Sequence, residues 1–343
     1  MNFFRVVFSL NFSIKAKALT RLFISFLILL MFAPFRIIEA VLYLFTKKEE
    51  VKQPIFIIGH PRSGTTFFHD SLNELDDVVA PRMIDCLFPL LNKYFEFMLV
   101  PILEKVLPET RLMDKMKVSW NSPQEEEFGM ALMSPYSSVN FLFAPNKSRE
   151  VLANYVLLNN PRAKARWLSS HWRFARKIQT MNKGKTLVFK SPGNTARIHE
   201  ILEIYPDAKF IHIVRNPQNV IPSTLNLYQK ILPEFSLQDE SKLDLNAFVF
   251  DYYEQVMHKF ITTKGQLKKG QLAELKYENF VQSPLETLDR VFSEIDVAFS
   301  SKNLEDFFES RKNFSRNTFN EDTELTKVIN ERCKEVAELY NYS

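Results

Sequence analysis

The hydrophobic pattern of the chain changes period in a regular way. Short apolar runs end at a glycine or a basic residue, and apolar residues spaced three and four apart follow them. Ile55 to Ile58 reads as a buried strand, and beyond the turn from Gly59 to Gly64 the residues Phe68, Leu72 and Leu75 share one helical face. Thr186 to Phe189 is a second strand, finishing at Lys190, with Ile198, Ile201, Leu202 and Tyr205 as the helical stripe behind it. Phe210 to Val214, finishing at Arg215, precedes a helix from Gln218 to Lys230; Ala273 to Tyr277 precedes one from Pro284 through Ile295. Strands alternating with helices, without hairpin signals, predict an α/β fold: a P-loop-type parallel sheet covered by helices on both faces. Ligands in such sheets bind beyond the carboxyl ends of the strands, and Arg62, Lys190 and Arg215 all fall there.

Other stretches are less sharply patterned. A Leu- and Phe-rich region runs to about Leu112, with Phe88, Leu91, Phe95 and Leu99 on one face, which suits core or the lining of an apolar acceptor pocket. Ser122-Pro123 followed by Glu125 carries the signal for a helix start, with Ser122 as N-cap and Glu125 completing a capping box. Glu126 and Glu127 have no such duty, so the run Glu125 to Glu127 also offers a general base. Arg162 to Met181 is expected to bury Leu168, Trp172 and Ala175 and to expose Arg173, Arg176 and Lys177. Leu245 to Lys264 is a helix with Phe248, Tyr252, Val256 and Phe260 in register. The polar end from Ser310 turns helical after the basic cluster Arg311, Lys312 and Arg316, which is either solvated or closes over an anionic ligand.

The N-terminus sets the chain apart from ordinary α/β proteins. Leu22 to Phe35 is almost wholly apolar, and after Arg36 a second run, Ile37 to Phe45, is interrupted by Glu39. Lys15, Lys17 and Arg21 precede the region, and Lys47, Lys48 and Lys52 follow it. No small-residue cleavage site marks a signal peptide. Arg36 and Glu39 would each cost roughly 2.5–3.5 kcal/mol near the centre of a spanning helix, which the apolar residues around them can offset. Pro34 and Arg36 instead suggest a broken helix lying in the membrane interface, with basic flanks on anionic headgroups. A buried helical pair is the remaining reading. Residues 1–50 are therefore expected as a membrane-associating segment and 51–343 as a P-loop-type α/β domain, with spanning left open.

Composition narrows the classes. The chain has 343 residues and is 13% aromatic with 32 Phe, enough for a large core and unlike a disordered chain. A net charge of +4, mixed along the sequence, gives no argument for nucleic-acid binding. The two cysteines, Cys86 and Cys333, have no metal spacing and demand no oxidising compartment, and the α/β domain is expected in the cytoplasm.

The loop Gly59 to Gly64 has Walker spacing, with Thr65 where a nucleotide triphosphatase needs its lysine. Arg62 supplies a cation from another point, and backbone N–H groups of the loop and of the helix start suit an anion. A plain glycine turn between core elements is the bland alternative. The strand ending at Arg215, followed by Ser223 in the next helix, offers an arginine and a hydroxyl where a magnesium-dependent NTPase would place an aspartate. Three cations at one sheet edge can surround a ligand with more than one phosphate.

These residues resemble the PAPS-dependent sulfotransferases. PRSGTT at Pro61 to Thr66 is similar to the family's 5′-phosphosulfate loop, and Lys190 to Ser223 to its segment from the catalytic lysine to the 3′-phosphate site. The apolar N-terminus and the SPQEEEF segment look like a membrane-associated, little-characterised branch. The resemblance implies that Arg62, Ser63, Gly64, Thr65 and Thr66 hold the 5′-phosphate, Arg215 and Ser223 the 3′-phosphate, and Tyr277 lies near the adenine. It implies that Lys190 neutralises charge on the transferred group. Where soluble members carry a histidine base this chain has Pro192, and Asn194 stands at a later alternative position. The base is then expected from Glu127, with Glu125 and Glu126 behind it and His60 as a further candidate. The expected activity is sulfonate transfer from PAPS to a hydroxyl or amine of a lipid, glycan or small molecule, without a metal and without nucleic acid as a partner. Competing readings are a divergent P-loop nucleotide kinase and a nonenzymatic membrane-anchored protein with a vestigial nucleotide pocket.

Overall fold

The computed structural model describes residue 10 and residues 13–107, 119–298, 304–311 and 323–342. The chain opens with a long helix, α1 (Ala16–Leu44), and a strand buried at every position, β1 (Ile55–Ile58). Helix α2 (Thr65–Leu72) follows the glycine-bounded loop, and a two-residue strand, β2 (Val78–Val79), follows α2. Next come α3 (Glu96–Val106), α4 (Glu126–Met133) and α5 (Pro161–Met181). The alternation then runs through β3 (Thr186–Lys190), β4 (Lys209–Val214), α6 (Pro217–Phe235), α7 (Leu245–Thr263) and β5 (Leu272–Lys276). Helices α8 (Tyr277–Gln282) and α9 (Pro284–Glu294) come after it.

These elements form two interleaved compact units. One is made of Met1–Val51, Ala80–Lys183 and Lys230–Leu243; the other of Lys52–Val79, Gly184–Gln229 and Asp244–Ser343. The N-terminal helix shares a unit with two later stretches of chain.

The second unit contains the sheet. Its five strands are all parallel, in the order β2-β3-β1-β4-β5, as the alternating pattern requires. Ile55 and Ile57 of β1 point into one core with Phe68, Leu72, Ile211 and Phe280. On the opposite face the Phe56 ring lies 5.3 Å from Phe189 and 5.7 Å from Phe210. Each such fully buried side chain contributes about 1.5–3 kcal/mol, which makes the central strands a rigid base for the loops at their ends. The edge strand β2 was not expected: two residues carry no readable period, and it exists by pairing with Thr186 and Leu187.

The first unit departs from expectation in four places, each for a non-local reason. Helix α1 is continuous through Pro34, where a break was expected. Pro34 is exposed, and Phe32 and Phe35 on either side of it pack edge-on against Phe88 and Phe95, holding both turns in line. The long helical region is split into Met83–Leu87 and α3, and its expected end at Leu112 lies outside the described residues. Leu91 and Leu99 are core, clustered with Phe32 and Leu103, with Phe88 and Phe95 packed against them. Ser122 and Pro123 do not start a helix. Pro123 pairs with Arg82 in an antiparallel bridge, Met83 N donates to Ser122 O at 2.9 Å, and α4 begins at Glu126. Helix α5 is rotated from its expected setting: Trp167, His171, Phe174 and Ile178 are buried and Trp172 is exposed. Lys177, expected on a solvated face, is buried and paired with Glu39. Burial pulls its pKa down, and the neighbouring Glu39 works against that shift.

Candidate active site

The register of the sheet sets the site. In the second unit Ile57 is level with Lys190 of β3, and Ile58 is level with His212 of β4. The loop after β1 therefore emerges between the ends of β3 and β4, and the residues that follow those strands reach it from either side. Sequence separation does not matter to this convergence; adjacency of parallel strands does.

The loop conformation depends on glycine at both ends. Gly59 has φ +146°, and a Cβ there would lie 2.4 Å from the carbonyl oxygen of Ile213. Gly64, at φ +102°, faces the ring of Tyr277, and a Cβ would come 2.1 Å from it. Between them Arg62 also adopts positive φ, 70°, and Ser63 N closes a turn on His60 O at 3.1 Å. Gly64 is the N-cap of α2 and donates no side chain to it, so the first turn of that helix opens on the loop. Gly59 N donates to Thr195 Oγ1 at 2.7 Å, tying the loop to the 3₁₀ turn Pro192–Ala196 beyond β3.

Cations and hydroxyls gather on this frame. Arg62 Nε donates to Ser223 Oγ on α6 at 3.0 Å. Arg215 donates to the carbonyl oxygen of Arg62 at 3.3 Å, and its guanidinium stacks over the Tyr277 ring at 4.7 Å. Lys190 Nζ lies 3.4 Å from Thr66 Oγ1 in the first turn of α2 and is itself buried. Ser63 Oγ is buried and has no hydrogen-bond partner among the described residues. A glycine-cleared loop, an open helix start, an orphaned hydroxyl and three cations are a donor set for anionic oxygen. A bound nucleotide with phosphates at two positions fits that set.

The expected binding residues Arg62, Ser63, Gly64, Thr65, Thr66, Arg215, Ser223 and Tyr277, and the expected catalytic Lys190, thus belong to one unit, at one sheet edge. Glu125 and Glu127 belong to the other unit. Glu125 is the half-buried N-cap of α4. Glu127 is buried: its Oε1 accepts from Ser137 Oγ and Ser138 N, both at 2.9 Å, and its Oε2 from Trp167 Nε1 at 3.2 Å. His60 is a poor candidate for the base. Its ring is enclosed, with Tyr252 and Tyr253 against it, and burial drives its pKa down to about 3.

Sequence reading missed two contributors. Thr195 carries no motif of its own; it matters because its turn and the β1 loop are neighbours in the sheet. Glu278 accepts from Asn216 N at 3.2 Å and from the Tyr342 hydroxyl at 2.8 Å, bracing the turn that presents Arg215. Of the basic cluster before the C-terminus, Lys312 and Arg316 lie outside the described residues. Among the described residues no group of three or more His, Cys, Asp or Glu side chains is placed to hold a metal ion.

Residues 54–301 match the family model described as "Sulfotransferase family". The chain belongs to the sulfotransferase family. It is an enzyme that moves a sulfonate group to an acceptor, and the resemblance carried by the loop and the Lys190–Ser223 segment holds at the level of the family. The kinase and nonenzymatic readings fall away with it. Among its relatives is omega-hydroxy-beta-dihydromenaquinone-9 sulfotransferase Stf3 of Mycobacterium tuberculosis, 30% identical over 298 residues, 84% of this chain and 75% of the relative. The Mycobacterium bovis protein of the same name matches equally. Solved structures with the same fold include sulfotransferase STF1 from M. tuberculosis, with a TM-score of 0.61 at 17% identity, over 82% of this chain and 76% of that one. Sulfotransferase STF9 from Mycobacterium avium gives a TM-score of 0.62 at 15% identity, over 85% and 77%. The sulfotransferase family's parallel sheet is thus the fold expected from the alternation of strands and helices.

Proposed function

We propose that the enzyme takes its sulfonate from PAPS and transfers it to a hydroxyl group of a lipid-like alcohol at a membrane surface. The observation that carries the donor is the linkage of Arg62 to both Ser223 and Arg215. One arginine joins the loop suited to a 5′-phosphosulfate to the strand end suited to a 3′-phosphate, which is the pair of anionic groups that distinguishes PAPS from ATP. In this reading Ser63, Gly64, Thr65 and Thr66 supply donors to the 5′ side, Arg215 and Ser223 to the 3′ side, and Tyr277 offers a ring beside them for the adenine.

Sulfonyl transfer is an in-line displacement, so the protein's work is alignment and charge stabilisation. Lys190, buried beside Thr66, neutralises charge that develops as the sulfonate leaves the donor phosphate. The acceptor's proton goes to a carboxylate of the Glu125–Glu127 run, with Glu127 the first choice. Its donors from Ser137, Ser138 and Trp167 hold the carboxylate in one orientation. An amine would serve the same chemistry as a hydroxyl.

Two observations support a lipid-like acceptor: the relative named for a hydroxylated menaquinone, and the long run of exposed apolar residues on α1. The test is calorimetry with PAP and with ATP, each with and without magnesium. Tight PAP binding without the metal is expected. Preference for ATP with magnesium overturns the donor assignment.

A further inference from the structure

We propose that α1 lies in the plane of a membrane and does not cross it. Its outer face sits in the headgroup boundary of one anionic leaflet, and its inner face is locked to the protein through Glu39 and Lys177. The inference deepens the reading of an enzyme at a membrane surface and rests on it.

Helix α1 is long and apolar enough to cross a bilayer, at about 43 Å for its 29 residues. A crossing helix must be surrounded by lipid, or by other membrane-embedded helices, over about 20 residues. This one is held to a single compact unit at its start, middle and end. Just before its start Lys15 pairs with Glu240 at 2.8 Å, and Ala18 and Leu22 pack with Val139 and Phe143. In its middle Phe32 is buried with Leu99, and Phe35 meets Phe95. Towards its end Glu39 is fully enclosed. It accepts from Lys177 Nζ and from the backbone N–H groups of Lys93 and Tyr94, both at 3.1 Å. Lys177 in turn donates to the carbonyl oxygen of Pro89 at 2.9 Å. Crossing the bilayer would strip these partners away or carry them into hydrocarbon.

The outer face is of the opposite kind. Phe23 is 62% exposed and Leu30 61%, and Leu27, Ile37 and Leu44 are exposed with them. Helix α3, packed against α1 through Leu99 and Leu103, adds Phe97, 75% exposed, and Val106. Glu39 is the one acidic residue of α1, and it is turned inward, while Lys17 and Lys47 stand exposed near the two ends. An apolar face with cations at both ends and its acid withdrawn matches the boundary of an anionic leaflet in charge as well as in hydrophobicity.

The test uses the full chain and sealed vesicles of equal parts phosphatidylcholine and phosphatidylglycerol. The unsubstituted protein should float with the vesicles; failure to float overturns the membrane reading as a whole. Cysteines placed one at a time by Lys17→Cys and Lys47→Cys, in protein that also carries Cys86→Ser and Cys333→Ser and is synthesised in the presence of the vesicles, are then exposed to a membrane-impermeant maleimide. Labelling of both sites before detergent is added supports the in-plane helix. Labelling of one of them only after detergent means the helix spans, which overturns this inference and leaves the membrane reading standing. Phe23→Asp with Leu30→Asp should weaken vesicle binding by about tenfold or more with an unchanged thermal midpoint. Unchanged binding, or a dimer in solution that the same double substitution dissolves, assigns the face elsewhere and overturns the proposal.

Discussion

Arg62 Nε and Ser223 Oγ are 3.0 Å apart although 161 residues separate them in the chain. The contact exists because β1 and β4 are neighbours, so the loop that ends one and the helix that follows the other share a sheet edge. Arg215 strengthens the link by donating to the Arg62 carbonyl oxygen. Arg215→Ala should weaken PAP binding by about ten- to a hundredfold, the worth of a charge-assisted contact of about 1.5–3 kcal/mol. Ser223→Ala should cost less, about 1 kcal/mol, because it removes a neutral donor and frees one Arg62 N–H. Calorimetric titration with PAP measures both; equal affinity in Arg215→Ala would remove this residue from the nucleotide site.

Gly64 and Gly184 make a controlled pair for the loop. Both have positive φ, but a Cβ at Gly64 would strike the Tyr277 ring whereas nothing lies within 4 Å of one at Gly184. Gly184→Ala should cost about 1 kcal/mol, the backbone strain alone. Gly64→Ala adds the clash and should cost about 1–3 kcal/mol more, together with PAP affinity. Denaturant melts of the two variants compare them directly.

His60 makes stability depend on pH. Its folded pKa, about 3, lies below the unfolded value of 6.5 because burial penalises the charged ring; the bond to the Pro61 carbonyl acts in the opposite sense. Below 6.5 the unfolded chain binds a proton that the folded chain refuses, so stability is complete above 6.5 and falls as pH drops towards 3. From pH 7 to 5 the loss from this one group should be about 2 kcal/mol. His60→Asn should be the less stable protein at pH 7, and the gap should narrow by that amount at pH 5, read from unfolding curves at each pH.

Glu127→Gln separates a catalytic from a structural carboxylate. The amide presents its NH₂ where the carboxylate accepted from Ser137 and Ser138 or from Trp167, so some stability is lost, about 1–3 kcal/mol. If Glu127 takes the acceptor's proton, kcat should also fall by about a hundredfold or more while PAP binding is kept. Trp167→Phe removes one donor and should lower stability without that loss of kcat. Release of PAP from PAPS in the presence of a long-chain alcohol measures turnover; full activity in Glu127→Gln moves the base elsewhere.

Much of the binding edge is legible in the sequence because its parts are local. A four-residue apolar run, a glycine at each end of a turn and a helical stripe state strand, loop and helix within one short stretch of chain. A basic residue at or shortly beyond the end of each of β1, β3 and β4 needs nothing but parallel pairing to be brought to one edge. Contacts with distant segments are not legible in that way. The cap signal at Ser122 and Pro123 was sound locally and lost to pairing with Arg82, and β2 has too few residues to show a period.

The N-terminal helix divides the two sources of information most clearly. Sequence alone determined that Leu22 to Phe45 is apolar and flanked by cations, since hydropathy and charge are properties of the residues themselves. Tertiary structure decided that Pro34 does not break the helix and that Glu39 turns inward. It also decided which apolar side chains are core and which face outward. The deciding partner, Lys177, lies 138 residues away on a helix whose buried face was misjudged from its own periodicity. A buried charge is tolerable only where its counter-charge and its hydrogen-bond donors meet it, and that meeting is a property of the fold.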